Sequence, residues 1–300
     1  MRTINAMTVD VEDYFHVSAF AGAIQRSNWE HMECRVEQNT RSLINLFGKY
    51  DVRCTFFVLG WVAERYPGLV REIAMQGHEV ACHGMTHELV YRQTPEVFEE
   101  ETRRSKALLE DAAERPVLGY RAASYSITRN SLWALDILAD IGFQYDSSIF
   151  PIRHDRYGIP GAPREPHRIK SGAGKEIVEF PLTTFRKGRM DVPVAGGGYF
   201  RLFPYSFTRY ALRQVNERDG LPFIFYLHPW EIDPGQPRIK ASVLSRFRHY
   251  NNLHRCESRL RDLITDFKFD TAEAVLRKME LIPNSDSTNV HAAAGEHAAV

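Results

Sequence analysis

Cysteine is scarce and scattered in this sequence: Cys34, Cys54, Cys82 and Cys256 form no CxxC pair. Such spacing argues against a disulfide framework and fits reduced thiols in a cytosolic protein. An excess of either charge is also missing, because Lys plus Arg and Asp plus Glu both total 38. No global field therefore draws in nucleic acid or an anionic membrane, and no charge block is long enough to act as a tail. Nowhere do about 18 apolar residues run together, the least that a membrane-spanning helix needs. Met1 to Asp10 lacks the apolar region of a signal peptide, so we expect a cytoplasmic chain that reaches a membrane only through a partner. Two nucleophile and phosphate signatures are absent as well. There is no GxSxG, and Gly196-Gly197-Gly198 has no following Lys-Ser/Thr, so it reads as a turn or a close backbone contact. No internal repeat occurs at a fixed period.

What is present is enough apolar residue, 44% of 300, to bury one large core or two modest ones. Short apolar runs alternate with helical stripes. Ile4 to Val9, Arg53 to Gly60, Glu79 to Cys82, Val117 to Ala122, Phe143 to Asp146, Ile177 to Phe180 and Phe223 to His228 read as strands. Between them, Val36 to Tyr50 has a helical stripe at Val36, Leu43, Ile44 and Phe47, and a second helix opens at Pro67 and stops at Gly77. A third starts at Thr94-Pro95-Glu96, a capping hydroxyl followed by Pro and an acid near the positive end of the dipole. Thr128 or Asn130 caps a fourth that Gly142 closes. This alternation predicts an α/β fold of parallel βαβ units, in a barrel or a doubly wound sheet. From Pro151 to Gly174 the rhythm breaks into irregular chain. A helical extension is expected over about 238–282, running to about Phe267 and followed by a short strand at Phe269 and a last helix after Thr271, and a disordered tail over 283–300.

Four of the predicted strands end in residues with chemistry: Asp10/Glu12/Asp13, His83 with His87, Arg121 or Asp146, and His228. Sites in parallel α/β folds form at the C-terminal ends of strands, so these groups are expected on one rim. His83 and His87, four apart, would share one face of a helical turn and reach one metal ion. A carboxylate and two neutral imidazoles suit zinc, and also cobalt, nickel or iron. A second carboxylate would serve as general base and a histidine across the site as acid, the equipment for hydrolysing an amide or ester without a covalent intermediate.

The ordered set Thr8-Val9-Asp10-Val11-Glu12-Asp13, His83-Gly84-Met85-Thr86-His87, Gly119-Tyr120-Arg121-Ala122-Ala123-Ser124-Tyr125, Tyr145-Asp146-Ser147-Ser148 and Leu227-His228-Pro229 resembles the polysaccharide deacetylases of carbohydrate esterase family 4. The likeness covers roughly residues 4–275. The longer wording at Asp10–His16, Gly196–Arg201 and His228–Glu231 resembles the deacetylases found with exosortase-linked exopolysaccharide gene clusters. The resemblance implies a distorted (β/α) barrel with fewer than eight units, as one catalytic domain over residues 1–282. It implies Asp10 as general base, His83 and His87 as metal ligands, and His228 as general acid. Arg121 would orient the base, the Tyr125 backbone amide would help hold an oxyanion, and Asp146 would tune the acid histidine.

Two departures from the family pattern matter. The family's common motif has adjacent aspartates, the second on the metal; here strand alternation puts Glu12 on the side of Asp10, whereas an immediate turn would present Asp13. Glu12 is the preferred ligand. Ala123 stands where many members carry Pro. Aromatics such as Trp230, Tyr125 and Tyr199 are candidates for stacking on sugar rings. The expected partner is an N-acetylated hexosamine in a bacterial glycan or its lipid-linked precursor. A related allantoinase-like hydrolase of C–N bonds and a catalytically silent glycan-binding module are the rival readings.

Overall fold

The computed structural model describes residues 3–154, 156–170 and 174–284. Strand β1 (Ile4–Val11) is buried from Asn5 onward and pairs with three other strands. On one side it pairs with β2 (Thr55–Val58). On the other, β10 (Ile224–Leu227) takes its C-terminal half and β11 (Lys268–Asp270) its N-terminal half. Beyond β2 follow β3 (Glu79–Cys82), β4 (Gly119–Tyr120), β5 (Tyr145–Asp146) and β7 (Glu176–Glu179), every pair parallel. Strands β2, β3 and β10 are buried at all positions. Their near-continuous apolar runs are what strands covered on both faces require.

The parallel run β10-β1-β2-β3-β4-β5-β7 forms the distorted (β/α) barrel expected from the motifs, with fewer than eight units. Its distortion lies at the seam between β7 and β10, where no strand ladder joins the two among the described residues. Instead, Thr183 Oγ1 accepts the Ile224 amide at 2.8 Å, and the Tyr226 amide donates to Ala195 O at 3.1 Å. Gly196 has φ 138°, and a Cβ there would stand 2.1 Å from the Tyr226 carbonyl oxygen. That contact explains the glycine: any side chain would push the seam apart.

The helices lie where the stripes placed them. α1 (Val36–Lys49) buries Val36, Leu43, Ile44 and Phe47, and α2 (Gly60–Arg65) leads into α3 (Pro67–Met75). α4 (Pro95–Ala113) starts with the Val97 amide donating to Thr94 Oγ1 at 3.4 Å. Before α5 (Trp133–Ile141), Thr128 caps a separate turn at Arg129–Ser131, and Gly142, at φ 95°, closes the helix. α6 (Gly197–Leu202) and α7 (Tyr205–Glu217) precede β10. No helix among the described residues is long and apolar enough to cross a membrane.

One expectation needs correction. The segment 151–174 is not irregular throughout, because β6 (His167–Lys170) pairs antiparallel with β7. A hairpin of β8 (Thr184–Lys187) and β9 (Met190–Pro193) follows, off the main sheet. Over 238–282 the strand expected at Phe269 and the last helix expected after Thr271 are both present. α8 (Val243–Tyr250) leads to α9 (Leu253–Asp266), which buries Leu253, Cys256, Leu260, Leu263 and Ile264, and β11 joins β1 before α10 (Ala272–Lys278). The tail expected from 283 lies, apart from Pro283 and Asn284, outside the described residues.

Candidate metal and hydrolytic site

Because the strands run parallel, the residues just past β1, β3, β4 and β10 meet at one rim. There they line a cavity of about 990 Å³ that includes Asp10, Glu12, His83, His87, Tyr125 and His228. Donor atoms of Glu12, His83 and His87 all lie within 4.8 Å of one another. His83 Nδ1 donates to the Arg121 carbonyl at 2.8 Å, which leaves Nε2 free to act as a donor atom toward the cavity. Burial pushes the His83 pKa down to about 4, so its ring is neutral at pH 7. For Glu12, burial would raise the pKa, but His87, His228 and His83 outweigh it and hold the carboxyl well below the usual range. Glu12 Oε2 is buried, closes no hydrogen bond, and lies 2.9 Å from His87 Nε2. An orphaned buried carboxylate oxygen facing imidazoles is costly unless a cation completes it, so the donor set fits a divalent metal.

The histidines do not meet on a helical turn, as the spacing suggested. Residues 83–87 form an open bend in which Gly84 and His87 have φ of 75° and 54°. A left-handed residue reverses the chain, and that reversal brings the second imidazole back onto Glu12.

Asp13 is not part of the cluster. Its Oδ2 accepts the amides of Arg35 and Val36 at 2.5 and 2.8 Å, and its Oδ1 accepts the Tyr14 amide at 2.9 Å. Asp13 thus anchors the start of α1, and a tight turn at the end of β1, in which the Glu12 amide donates to Asp10 O at 3.0 Å, presents Glu12 to the cavity instead. Asp13→Ala is expected to lower unfolding free energy by about 1–2 kcal/mol, the cost of a lost helix cap, with bound metal unchanged. A urea melt paired with elemental analysis checks both.

Asp10 is held by Arg121, whose side chain is fully buried. Arg121 Nη1 donates to Asp10 Oδ1 at 2.7 Å and to Thr8 Oγ1 at 2.8 Å. Its other nitrogens donate to Ser147 O at 3.1 Å and Ser147 Oγ at 3.0 Å. Every guanidinium edge thereby has a partner, so a buried charge serves to fix one carboxylate. The other oxygen of Asp10 lies 4.0 Å from His228 Nε2, which is 3.3 Å from Glu12 Oε1.

Asp146 is not beside His228. It accepts from Ser148 Oγ at 2.6 Å and faces Glu179, its register partner across β5 and β7. Burial and the Asp146 charge push Glu179 well up, and burial raises Asp146 as well. Glu231 takes the place predicted for Asp146. Its Oε1 accepts His228 Nδ1 at 2.8 Å and the His228 amide at 3.0 Å, while Oε2 takes Arg201 Nε at 2.5 Å. Burial opposes a charge on His228, yet Glu12, Glu231 and Asp10 outweigh it and raise the pKa to about 9. Burial would likewise raise Glu231, but Arg201 and His228 bring it down to about 2. Sequence reasoning missed both Arg201 and Glu231 as site residues. They were visible only as words in the motifs Gly196–Arg201 and His228–Glu231, which fold into one buried ion pair.

Two substrate-binding expectations also change. Trp230 stacks on His228 at 5.0 Å and on His249 at 4.0 Å, so both faces are covered and no sugar ring can stack there. Its indole N–H lies 3.4 Å from Glu12 Oε1, so it braces the carboxylate. The Tyr125 amide donates to Ala122 O at 3.0 Å and is committed to a turn in which Ser124 and Tyr125 have φ of 50° and 55°. The Tyr125 side chain still lines the cavity, as does Tyr199.

Residues 29–145 match the polysaccharide deacetylase family, and residues 147–277 match a domain of unknown function, DUF3473. The cavity draws on both segments and on β1 ahead of them. The chitooligosaccharide deacetylase of Bradyrhizobium sp. (strain ANU 289) is 30% identical over 100 residues, 33% of this chain and 43% of that protein. The chain spans less than half the length of the curated relatives it matches. A crystal structure of a candidate polysaccharide deacetylase from Mycobacterium smegmatis superposes with TM-score 0.59 at 18% identity, covering 95% of this chain and 98% of that one. Puue allantoinase superposes with TM-score 0.57 at 14% identity, covering 91% and 89%. At these identities the likeness is one of fold.

Proposed function

We propose that this chain, with its polysaccharide deacetylase match over residues 29–145, is a metal-dependent hydrolase that removes N-acetyl groups from amino sugars of a bacterial glycan. The observation that carries the reading is the Glu12–His83–His87 donor cluster lying beside the Arg121-held Asp10 and the Glu231-held His228. Glu12, His83 and His87 would hold the ion, with zinc, cobalt, nickel or iron each compatible with the set. When bound, it supplies Lewis acidity toward an amide carbonyl and a water. Asp10, fixed by Arg121, accepts the proton of the attacking water at its free oxygen. His228, protonated at neutral pH and aimed by Glu231, donates from Nε2 to the leaving nitrogen.

The motif wording at Asp10–His16, Gly196–Arg201 and His228–Glu231 supports a place in exopolysaccharide biosynthesis, on an N-acetylated chain or its lipid-linked precursor. Acetate release from a panel of N-acetylated glycans, with and without added divalent metal, tests the reading, with the ureide allantoin as comparison. Metal-stimulated acetate release supports it; metal-independent turnover of the ureide alone contradicts it.

A further inference from the structure

Helix α8 forms one lip of the cavity through Leu244, Phe247 and Arg248. Its outer face is apolar: Val243 is 84% exposed, Leu244 57% and Phe247 54%. Residues 243 and 247 stand one helical turn apart with 244 beside them, so the three side chains form one stripe. Leu202 from α6, 47% exposed, lines the same mouth. Single exposed apolar residues are ordinary on a protein surface, but a contiguous patch beside a cavity points to a contact.

The charge of the segment that carries this stripe has one sign. Between Asp233 and Glu257 the sequence carries Arg238, Lys240, Arg246, Arg248 and Arg255 and no carboxylate side chain, in a chain whose charges otherwise balance. Some exposed arginines elsewhere have acidic partners, as in Arg26–Glu88, Arg103–Glu99 and Arg261–Glu257. Among the described residues none of these five cations has one, and Arg238 lies instead over the Tyr250 ring at 4.3 Å. The balanced total had argued against attraction to an anionic membrane; the local segment reverses that.

We propose that α8 and its basic flanks dock on an anionic phospholipid surface. Val243, Leu244 and Phe247 enter the headgroup boundary, the cations meet the phosphates, and the cavity mouth is held toward the bilayer. Interfacial helices bind through this combination of an apolar stripe and a basic fringe. A soluble acidic glycan would satisfy the cations but leave Val243 in water, so the stripe selects a bilayer. The inference is independent of the deacetylase reading, because vesicle binding needs no turnover.

The test is sedimentation of the full chain with vesicles of phosphatidylglycerol and phosphatidylcholine in equal parts, against phosphatidylcholine alone. Binding is expected on the anionic vesicles and not on the neutral ones. Val243→Asp and Arg246→Glu change exposed side chains outside the cavity lining and should leave acetate release from a soluble oligosaccharide unchanged. Each is expected to weaken binding by about fivefold or more, the effect of about one surface charge near a membrane. Equal binding to both vesicle types, or to neither, overturns the proposal. So does unaltered binding by Val243→Asp together with full competition by heparin, which would assign the cations to an acidic glycan.

Discussion

Asp10→Asn is expected to lower kcat for deacetylation by about 100- to 10,000-fold, the range for removing a positioned general base. The amide keeps the shape of the carboxylate, and its oxygen still accepts from Arg121, but it takes no proton from water. The risk lies in Arg121, which is fully buried and would lose its counter-charge. Breaking such a pair costs about 3–5 kcal/mol when one partner disappears entirely. Asp10→Asn retains an acceptor, so a smaller loss is expected, visible as a lower urea midpoint in a still cooperative transition. Metal content should match wild type, since Asp10 is not a ligand. Turnover near the wild-type rate, measured as acetate released per folded chain, would remove Asp10 from the role of base.

His83→Ala is expected to abolish stoichiometric metal binding and reduce activity to background. Deleting only an outer partner of a metal ligand costs about 10- to 100-fold in metal affinity, so removal of the ligand should cost at least that. A thermal readout separates this from turnover. A ligand that binds only the native state adds about 2.7 kcal/mol at 100 times its Kd, so added zinc should raise the melting temperature of wild type. It should leave His83→Ala and Glu12→Gln unmoved. The Arg121 carbonyl loses its imidazole partner in His83→Ala, so that variant should also melt lower without metal.

Much of this site could be read before any coordinates, for a simple reason. Parallel strands end on one side, so residues directly after apolar runs converge whatever the helices do between them, and Asp10, His83, Arg121 and His228 are such residues. Glu12 and Asp13 also part, but β1 ends at Val11 and the Glu12 amide turns back to Asp10 O at 3.0 Å, so a turn and not strand alternation separates them. Legibility ended where geometry depends on a single backbone reversal or a distant partner. A helical turn at 83–87 was the natural reading of two histidines four apart. The left-handed φ of His87 leaves no mark in composition or spacing.

Asp146 looked poised for His228 by its place after a strand. Its register partner Glu179 captures it, and nothing local to Tyr145-Asp146-Ser147-Ser148 announces that pairing. Glu231 reaches His228 through a local capping box, and Arg201, 30 residues earlier in sequence, holds its other oxygen. Trp230 reads as an exposed platform until His228 and His249 are seen on its two faces.

The Glu12–His83–His87 cluster is tested most directly by back-titration. Protein stripped with chelator would be titrated with zinc while acetate release from an N-acetylglucosamine oligomer is followed. Wild type is expected to recover activity in proportion to added metal and to saturate near one ion per chain. Glu12→Gln should stay inactive throughout, and Asp13→Asn should follow wild type. Acetate release by the stripped protein at the reconstituted rate, or recovery by Glu12→Gln equal to wild type, would contradict the assignment of this cluster as the metal site.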